Sequence, residues 1–295
     1  MKSLIEYYYN VNISRIRMIE GKYHFLYNGQ EYIFEQFKEN KDAPNSLKFI
    51  LQLSTMNENF HSIILNKERK VLTYDGEELY ILLKVNLKNN RIINLNDIMQ
   101  STIPVSSNTN ATKWKTLWEE KIDNFEYYIN YIQDKKEEDS EFYDYFIGLG
   151  EAAISYVSLV ENEKRNHMDI TVISHNRINT KYTLYDLYNP LNIVLDHYTR
   201  DLAEYLKSAF FNDKEINIKN IINNLNMSEY ASILLISRML FPTFFFDLYE
   251  LEIKDKVLKT KKLINKMDSY EAFIYKLILE IKKRINIPTI KWLHH

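Results

Sequence analysis

The sequence predicts an α+β fold in two lobes: a small, mixed, β-rich N-terminal lobe over residues 1–90 and a larger, mainly helical C-terminal lobe over 91–295. Three observations predict it. Two turn signals, Asn28-Gly29 and Asp75-Gly76, fall in the first ninety residues, each between aromatic and β-branched runs. Beyond residue 113 apolar residues recur at helical spacing over long stretches. The chain has 295 residues, more than one domain of roughly 100–200 residues usually needs.

The N-terminal elements follow in order. Tyr23 to Tyr27 and Glu31 to Glu35 flank Asn28-Gly29 and form a hairpin, because both turn residues tolerate positive φ. Pro44 opens a helix that runs to Met56. Ser62 to Leu65 reads as a third strand, and Val71 to Tyr74 with Leu79 to Leu83 as a second hairpin about Asp75-Gly76. Residues 100–113 are small and polar and read as a surface loop.

The helical part begins with a stripe of Trp114, Leu117, Trp118, Ile122, Phe125, Ile129 and Ile132. A charged link, Asp134 to Asp139, joins it to a second stripe that includes Phe142, Phe146, Leu149, Ala153 and Val157. Ile170 to Ile173 and Thr183 to Tyr185 are short strand candidates. Asp201 with Glu204, Asn226 with Glu229 and Asp268 with Glu271 mark three helix starts. Ala231 to Tyr249 is the longest apolar stretch. Arg238, Pro242 and Asp247 interrupt it, which favours a buried helix over a membrane span.

Composition narrows the function. With 45% hydrophobic and 14% aromatic residues the chain can fill a core without staples. It has no Cys, hence no disulfide, no thiolate nucleophile and no cysteine zinc site. A net charge of -2, from 38 basic and 40 acidic residues, argues against a nucleic-acid partner. The N-terminus has no apolar signal-peptide core, so the chain reads as intracellular and cytoplasmic. Abundant Ile, Asn, Lys, Tyr and Phe match A/T-rich codons, which lowers the weight of charge runs. The basic C-terminal stretch, Lys259, Lys261, Lys262, Lys266, Lys282, Lys283 and Arg284, therefore reads as a solvated face.

Local motifs are few. Gly148-Leu149-Gly150-Glu151-Ala152-Ala153 matches G-x-G-x-x-A, but a helical stripe runs through it, so close helix packing replaces dinucleotide binding. His167 and His175 flank a strand near Asp169 without an evident third metal ligand, and read as hydrogen-bonded histidines. No G-x-S-x-G, P-loop or H-E-x-x-H motif occurs.

Residues 170–211 carry the most information. Their order is a strand, a loop at His175-Asn176-Arg177, a strand ending in Asp186, a second loop, and a helix opened by Arg200-Asp201-Leu202-Ala203. This resembles the catalytic core of the protein-kinase-like phosphotransferases, especially the aminoglycoside and choline kinase branch. There one strand leads to H-G-D-[LF], the next to I-D-[WF], and D-L-A opens a helix. The N-terminal order is similar too, so the resemblance spans nearly the whole chain. Within that superfamily the chain is most similar to the spore-coat-associated kinase-like proteins of Firmicutes, of the CotS/YutH type. The supporting features are the Trp114/Trp118 helix, FIGLGEAAISYV, DLYNP, RDLAEYLKSAFF and SRMLFPTFFFD.

The resemblance implies a two-lobe kinase-like fold that would use ATP and Mg²⁺. It assigns the base position to Arg177, and a guanidinium takes no proton near neutral pH. Tyr182 stands where a metal-binding Asn is implied. Glu35 or Gln36 stands near the position of the phosphate lysine, with Lys22 or Lys38 as displaced substitutes, and no Gly-rich loop lies between Gly21 and Gly29. Asp186 is left as a metal ligand and Asp201 as a structural helix-opening acid, while His175 implies backbone bracing.

The reading that follows is a pseudokinase: a scaffold in a sporulation or spore-coat setting, with spore-coat proteins as partners and no assigned cofactor. Surface tyrosines, from 23 in all, would suit such interfaces. Two alternatives stay open. One is an active phosphotransferase with Asp186 on the metal and Asp196 or Asp169 as base. The other is a nucleotide- or metabolite-binding module without turnover.

Overall fold

The computed structural model describes residues 1–38, 47–105, 111–131, 140–160, 169–250 and 256–293. Pro44, the charged link Asp134 to Asp139, and His167 lie outside the described residues. The chain forms two compact units. Unit one is Met1–Ile103 with Ile173–Leu195, and unit two is Pro104–Val172 with Asp196–His295. Residues 173–195, expected with the helical lobe, thus group with the N-terminal unit.

Unit one begins with α1 (Lys2–Tyr9) and an antiparallel hairpin ladder, β1 (Ile16–Ile19), β2 (Lys22–Tyr27) and β3 (Gln30–Gln36). Asn28 and Gly29 have φ of 50° and 74°, the left-handed pair that a two-residue hairpin turn requires. Then come α2 (Leu47–Met56), β4 (Ser62–Ile64), β5 (Thr73–Tyr74), β6 (Leu79–Lys84) and α3 (Leu95–Ser101). The sheet order is β1-β2-β3-β6-β4, with β5 also on β6. Side chains alternate across it. One face puts Phe25, Phe34 and Leu82 on Ile5 and Ile13. The other clusters Ile33, Ile81, Leu83 and Val85 with Leu47, Tyr185 and Leu191.

Unit two is helical: α4 (Ala111–Tyr131) and α5 (Ser140–Val157) match the two apolar stripes. The segment expected to loop over 100–113 is shorter than that, since α3 runs through Ser101, Pro104 bridges Val172 and α4 starts at Ala111. A Cβ on Gly150 would lie 3.0 Å from Ile122 Cδ1 and 3.6 Å from Phe241, so the second glycine of the G-x-G motif serves helix packing, while Gly148 meets nothing within 4 Å. Trp118 stacks on Phe241 at 4.6 Å and Phe146 on Phe245 at 4.1 Å. Each such fully buried aromatic contributes about 1.5–3 kcal/mol.

Strand β7 (Thr171–His175) pairs with β8 (Ile193–His197) as a separate two-stranded sheet. Thr183 to Tyr185, expected as the second strand, instead enters a helical turn, α6 (Leu184–Leu187). The Thr183 backbone N–H and hydroxyl both donate to Asp186 Oδ2, at 3.0 and 2.8 Å, and this local closure overrides the strand propensity of Thr and Tyr.

The remaining helices are α7 (Thr199–Phe211), α8 (Ile218–Asn224), α9 (Glu229–Leu240), α10 (Thr243–Glu250), α11 (Lys256–Ile264) and α12 (Met267–Lys282). The expected helix starts shift. Asp201 and Asp268 sit inside the first turns of α7 and α12, and Ser228, not Asn226, caps α9. Acids in a first turn still favour the helix dipole. The apolar stretch from Ala231 forms two helices, broken at Pro242, and Tyr230 through Leu240 are all buried. Among the described residues no single helix is long and apolar enough to cross a membrane; α9 and α10 pass that test together, bent by 48°. Tyr7, Tyr74 and Tyr127 are exposed, but most other described tyrosines are buried or half-buried, so the aromatic content largely fills the interior.

Candidate functional site

Unit one holds a polar cluster on the sheet face that also carries Ile33 and Leu83. The β2–β3 register sets Lys22 opposite Glu35, and Lys22 Nζ lies 3.4 Å from Glu35 Oε1. The same ammonium is 3.5 Å from Asp186 Oδ1. Asn189 Nδ2 donates to the other Glu35 oxygen at 2.6 Å. Along the same strands, His24 Nδ1 and the Tyr185 hydroxyl each meet Glu31, at 3.2 and 3.0 Å. His61 Nε2 donates to the Tyr185 carbonyl at 3.0 Å, and its ring stands edge-on to Tyr185. Burial pushes the His61 imidazole down to about 4, so it is neutral at ordinary pH, with Nδ1 buried and, among the described residues, without a hydrogen-bond partner. These bonds pin residues 183–191 to the sheet.

Asp186 is thus fully engaged. One oxygen closes the α6 turn and the other faces an ammonium. A divalent cation there would have to displace Lys22 against like-charge repulsion. Lys22 is the displaced lysine that the sequence offered, and Glu35 neutralises it. Lys38 is exposed.

The strand that pairs with β7 is β8, which carries Asp196, ten residues beyond Asp186, near its end. The resemblance's I-D-[WF] position therefore falls on Leu195-Asp196-His197. This corrects the placement on Asp186. In unit two, Asp196 is 1% exposed and its carboxylate accepts four bonds. Trp114 Nε1 (2.9 Å) and the His197 backbone N–H (2.7 Å) donate to Oδ1. Arg200 (3.1 Å) and Arg238 (2.6 Å) donate to Oδ2. Burial pushes this carboxyl up, but Arg238 and Arg200 outweigh it and hold it below the usual carboxylate range. Both guanidinium groups also lie over the Trp114 ring, at 4.7 and 4.2 Å.

The other anticipated residues divide by role. His175 is fully buried and its Nε2 donates to the Leu187 carbonyl at 2.7 Å, which is backbone bracing. Asn176 is exposed and its N–H meets the Asn192 carbonyl. Arg177 donates to the Asn176 carbonyl at 3.0 Å. The Tyr182 phenol is pushed up to about 12, by burial and then by Asp186. Asp169 accepts from Ser228 Oγ at 2.5 Å and lies 3.4 Å from His197 Nε2. Both proposed substitute bases, Asp169 and Asp196, are buried and held in pairs, so neither is placed to take a substrate proton. Asp201 is buried in the first turn of α7. Within unit one, the positions that the resemblance assigns do not fit an ATP–Mg²⁺ group: Arg177 puts a cation at the base, Glu35 puts an acid at the lysine, and Asp186 is already paired with Lys22. In unit two, Asp196 is held by two arginines.

Residues 2–276 match the family described as "Spore coat putative kinase YutH". The chain belongs to that family. It is similar to the endospore coat-associated protein YutH of Bacillus subtilis (strain 168), at 25% identity over 283 residues, covering 85% of this chain and 82% of that one. Its fold is similar to an aminoglycoside phosphotransferase from Alicyclobacillus acidocaldarius, with TM-score 0.57, 10% identity and 96% of each chain covered. It is also similar to choline kinase LicA from Streptococcus pneumoniae, with TM-score 0.50, 11% identity, and 91% and 98% covered. This YutH-family chain therefore has the protein-kinase-like phosphotransferase fold, α+β, with an antiparallel sheet in its N-terminal part and helices in its C-terminal part.

Proposed function

We propose that this YutH-family chain is a catalytically impaired kinase-like protein that serves as a scaffold or interaction protein in the spore-coat setting of its family. The observation that carries this reading is Asp196. A carboxylate with both oxygens taken by two guanidinium groups, an indole and an amide has no lone pair directed at a metal. Arg177 at the base position and Glu35 at the lysine position point the same way. Losing one part of such a machine costs orders of magnitude in rate, and here several parts are altered together.

One feature favours a second reading, an active phosphotransferase that would need ATP and Mg²⁺: Lys22 stands 3.5 Å from Asp186, where an ammonium could meet phosphate. The experiment that separates the two is thermal unfolding with millimolar ATP, with and without Mg²⁺, alongside phosphate release. A ligand at 100 times its dissociation constant adds about 2.7 kcal/mol, a shift of several degrees. The scaffold reading expects an unchanged midpoint and no release. A Mg²⁺-dependent shift or turnover that Lys22→Met removes would establish the second reading instead.

A further inference from the structure

The end of the unit-one sheet is open. β1 is the terminal strand, bonded to β2, and among the described residues no backbone hydrogen bond reaches its outer side. Residues 17–20 are exposed, with Met18 at 68% and Ile19 at 49%. Edges of this kind template a further strand, and are usually blunted by short length, charged side chains, proline, a bulge or a covering loop. β1 is four residues long, and Arg15 and Arg17 make it selective. Residues 14–20 contain no proline.

The charges select what can add. By the β1–β2 register, Arg17 and Ile19 share the face of His24 and Lys22, and Arg15 precedes them on the same alternation. Ile16 and Met18 lie on the opposite face, with Phe25 and Tyr23. Among the described residues Arg15 and Arg17 form no ion pair. The edge thus presents two unpaired cations on one face and apolar side chains on the other.

A second copy is a poor occupant. In a two-fold antiparallel pair, facing residues share one face of the joined sheet, so the axis passes beside a residue of β1, and the registers that pair most of the strand centre on Arg17 or Met18. The first register sets Arg17 against its own copy, a like-charge contact. The second sets Met18 against Met18 and leaves the four arginines without a carboxylate.

We infer that β1 is a docking edge for an extended segment of another protein that alternates acidic and β-branched residues. The added strand takes main-chain bonds from β1, sets its carboxylates opposite Arg15 and Arg17, and covers Ile16 and Met18 with its apolar side chains. The inference extends the scaffold reading by naming a partner class. Its test involves no nucleotide, so each can fail without the other.

The test uses the full chain and a fluorescein-labelled peptide, Thr-Val-Glu-Val-Glu-Val, against its Lys-for-Glu counterpart. Anisotropy should show binding of the acidic peptide and about tenfold weaker binding of the basic one. The variant Arg15→Glu/Arg17→Glu should invert that preference while keeping its melting midpoint, since both side chains are exposed. Amide exchange should slow at residues 16–19 on binding. Absence of binding at millimolar peptide, binding unaffected by the charge reversal, or protection confined elsewhere overturns the inference. So does a concentration-dependent dimer in sedimentation that the reversal abolishes, because a second copy would then hold the edge.

Discussion

Asp186 and Asp196 stand ten residues apart in sequence and live in opposite electrostatic settings. Asp186, in unit one, has a side chain 20% exposed and shares one lysine with Glu35. Asp196, in unit two, has a side chain 2% exposed and holds two arginines. Water screens the first cluster, so its ion pairs contribute modestly and can rearrange. The second is dry, so its charges are bound to each other and removing one strands the rest. The lesson is that solvent access, not the count of charges, decides whether a carboxylate is available for chemistry.

The largest effect should come from breaking the dry cluster. Asp196→Ala leaves two guanidinium groups uncompensated and should destabilise unit two by about 3–5 kcal/mol, read by urea unfolding. A paired Asp196→Leu/Arg238→Met variant should recover much of that loss. If the single substitution proved neutral, the contrast between the clusters would collapse.

Acid should strain the half-open side next. The folded His61 value of about 4 lies below the ordinary 6.5, so the unfolded chain binds its proton first. That contribution is full above pH 6.5 and falls as pH drops towards 4, by up to a magnitude on the order of 3 kcal/mol. Burial lowers His197 as well, in the same direction. His61→Gln keeps a donor for the Tyr185 carbonyl without titrating, and should flatten the profile of midpoint against pH between 4 and 6.5.

A smaller change is expected at the screened pair. Lys22→Met should cost about 1 kcal/mol, and a second substitution, Asp186→Asn, should cost less in that background than alone. Equal costs in both backgrounds would show that the 3.5 Å contact carries no energy. The smallest contrast lies within α5. Gly148→Ala meets nothing within 4 Å and should stabilise by about 0.5–1 kcal/mol, whereas Gly150→Ala gains no such benefit because Ile122 must move.

Much of the fold was legible because its signals are local. Asn28-Gly29 announced the hairpin, and the stripes through Trp118 and Phe146 announced α4 and α5. The error at the site was also local. Thr183-Leu184-Tyr185 has strand-forming residues, yet Thr-x-x-Asp is a helix-capping pattern, and that pattern was readable. Following it would have moved the second strand to Ile193-Val194-Leu195 and the motif acid to Asp196. The arginines on Asp196 were not readable, because Arg238 comes from a helix 42 residues away and only packing brings it in. The Lys22–Glu35 pair was accessible in principle, since the turn at Asn28-Gly29 fixes which residues of the hairpin face each other.

Trp114 donates its indole proton to Asp196 beneath two guanidinium groups, while Trp118 stacks on Phe241 and Trp292 is exposed at 43%. The three tryptophans of the chain therefore occupy three distinct optical environments. The emission of Trp114 should follow the state of one buried carboxylate, so a variant with Trp118 and Trp292 replaced by Phe would carry its own spectroscopic gauge of that cluster, without a label.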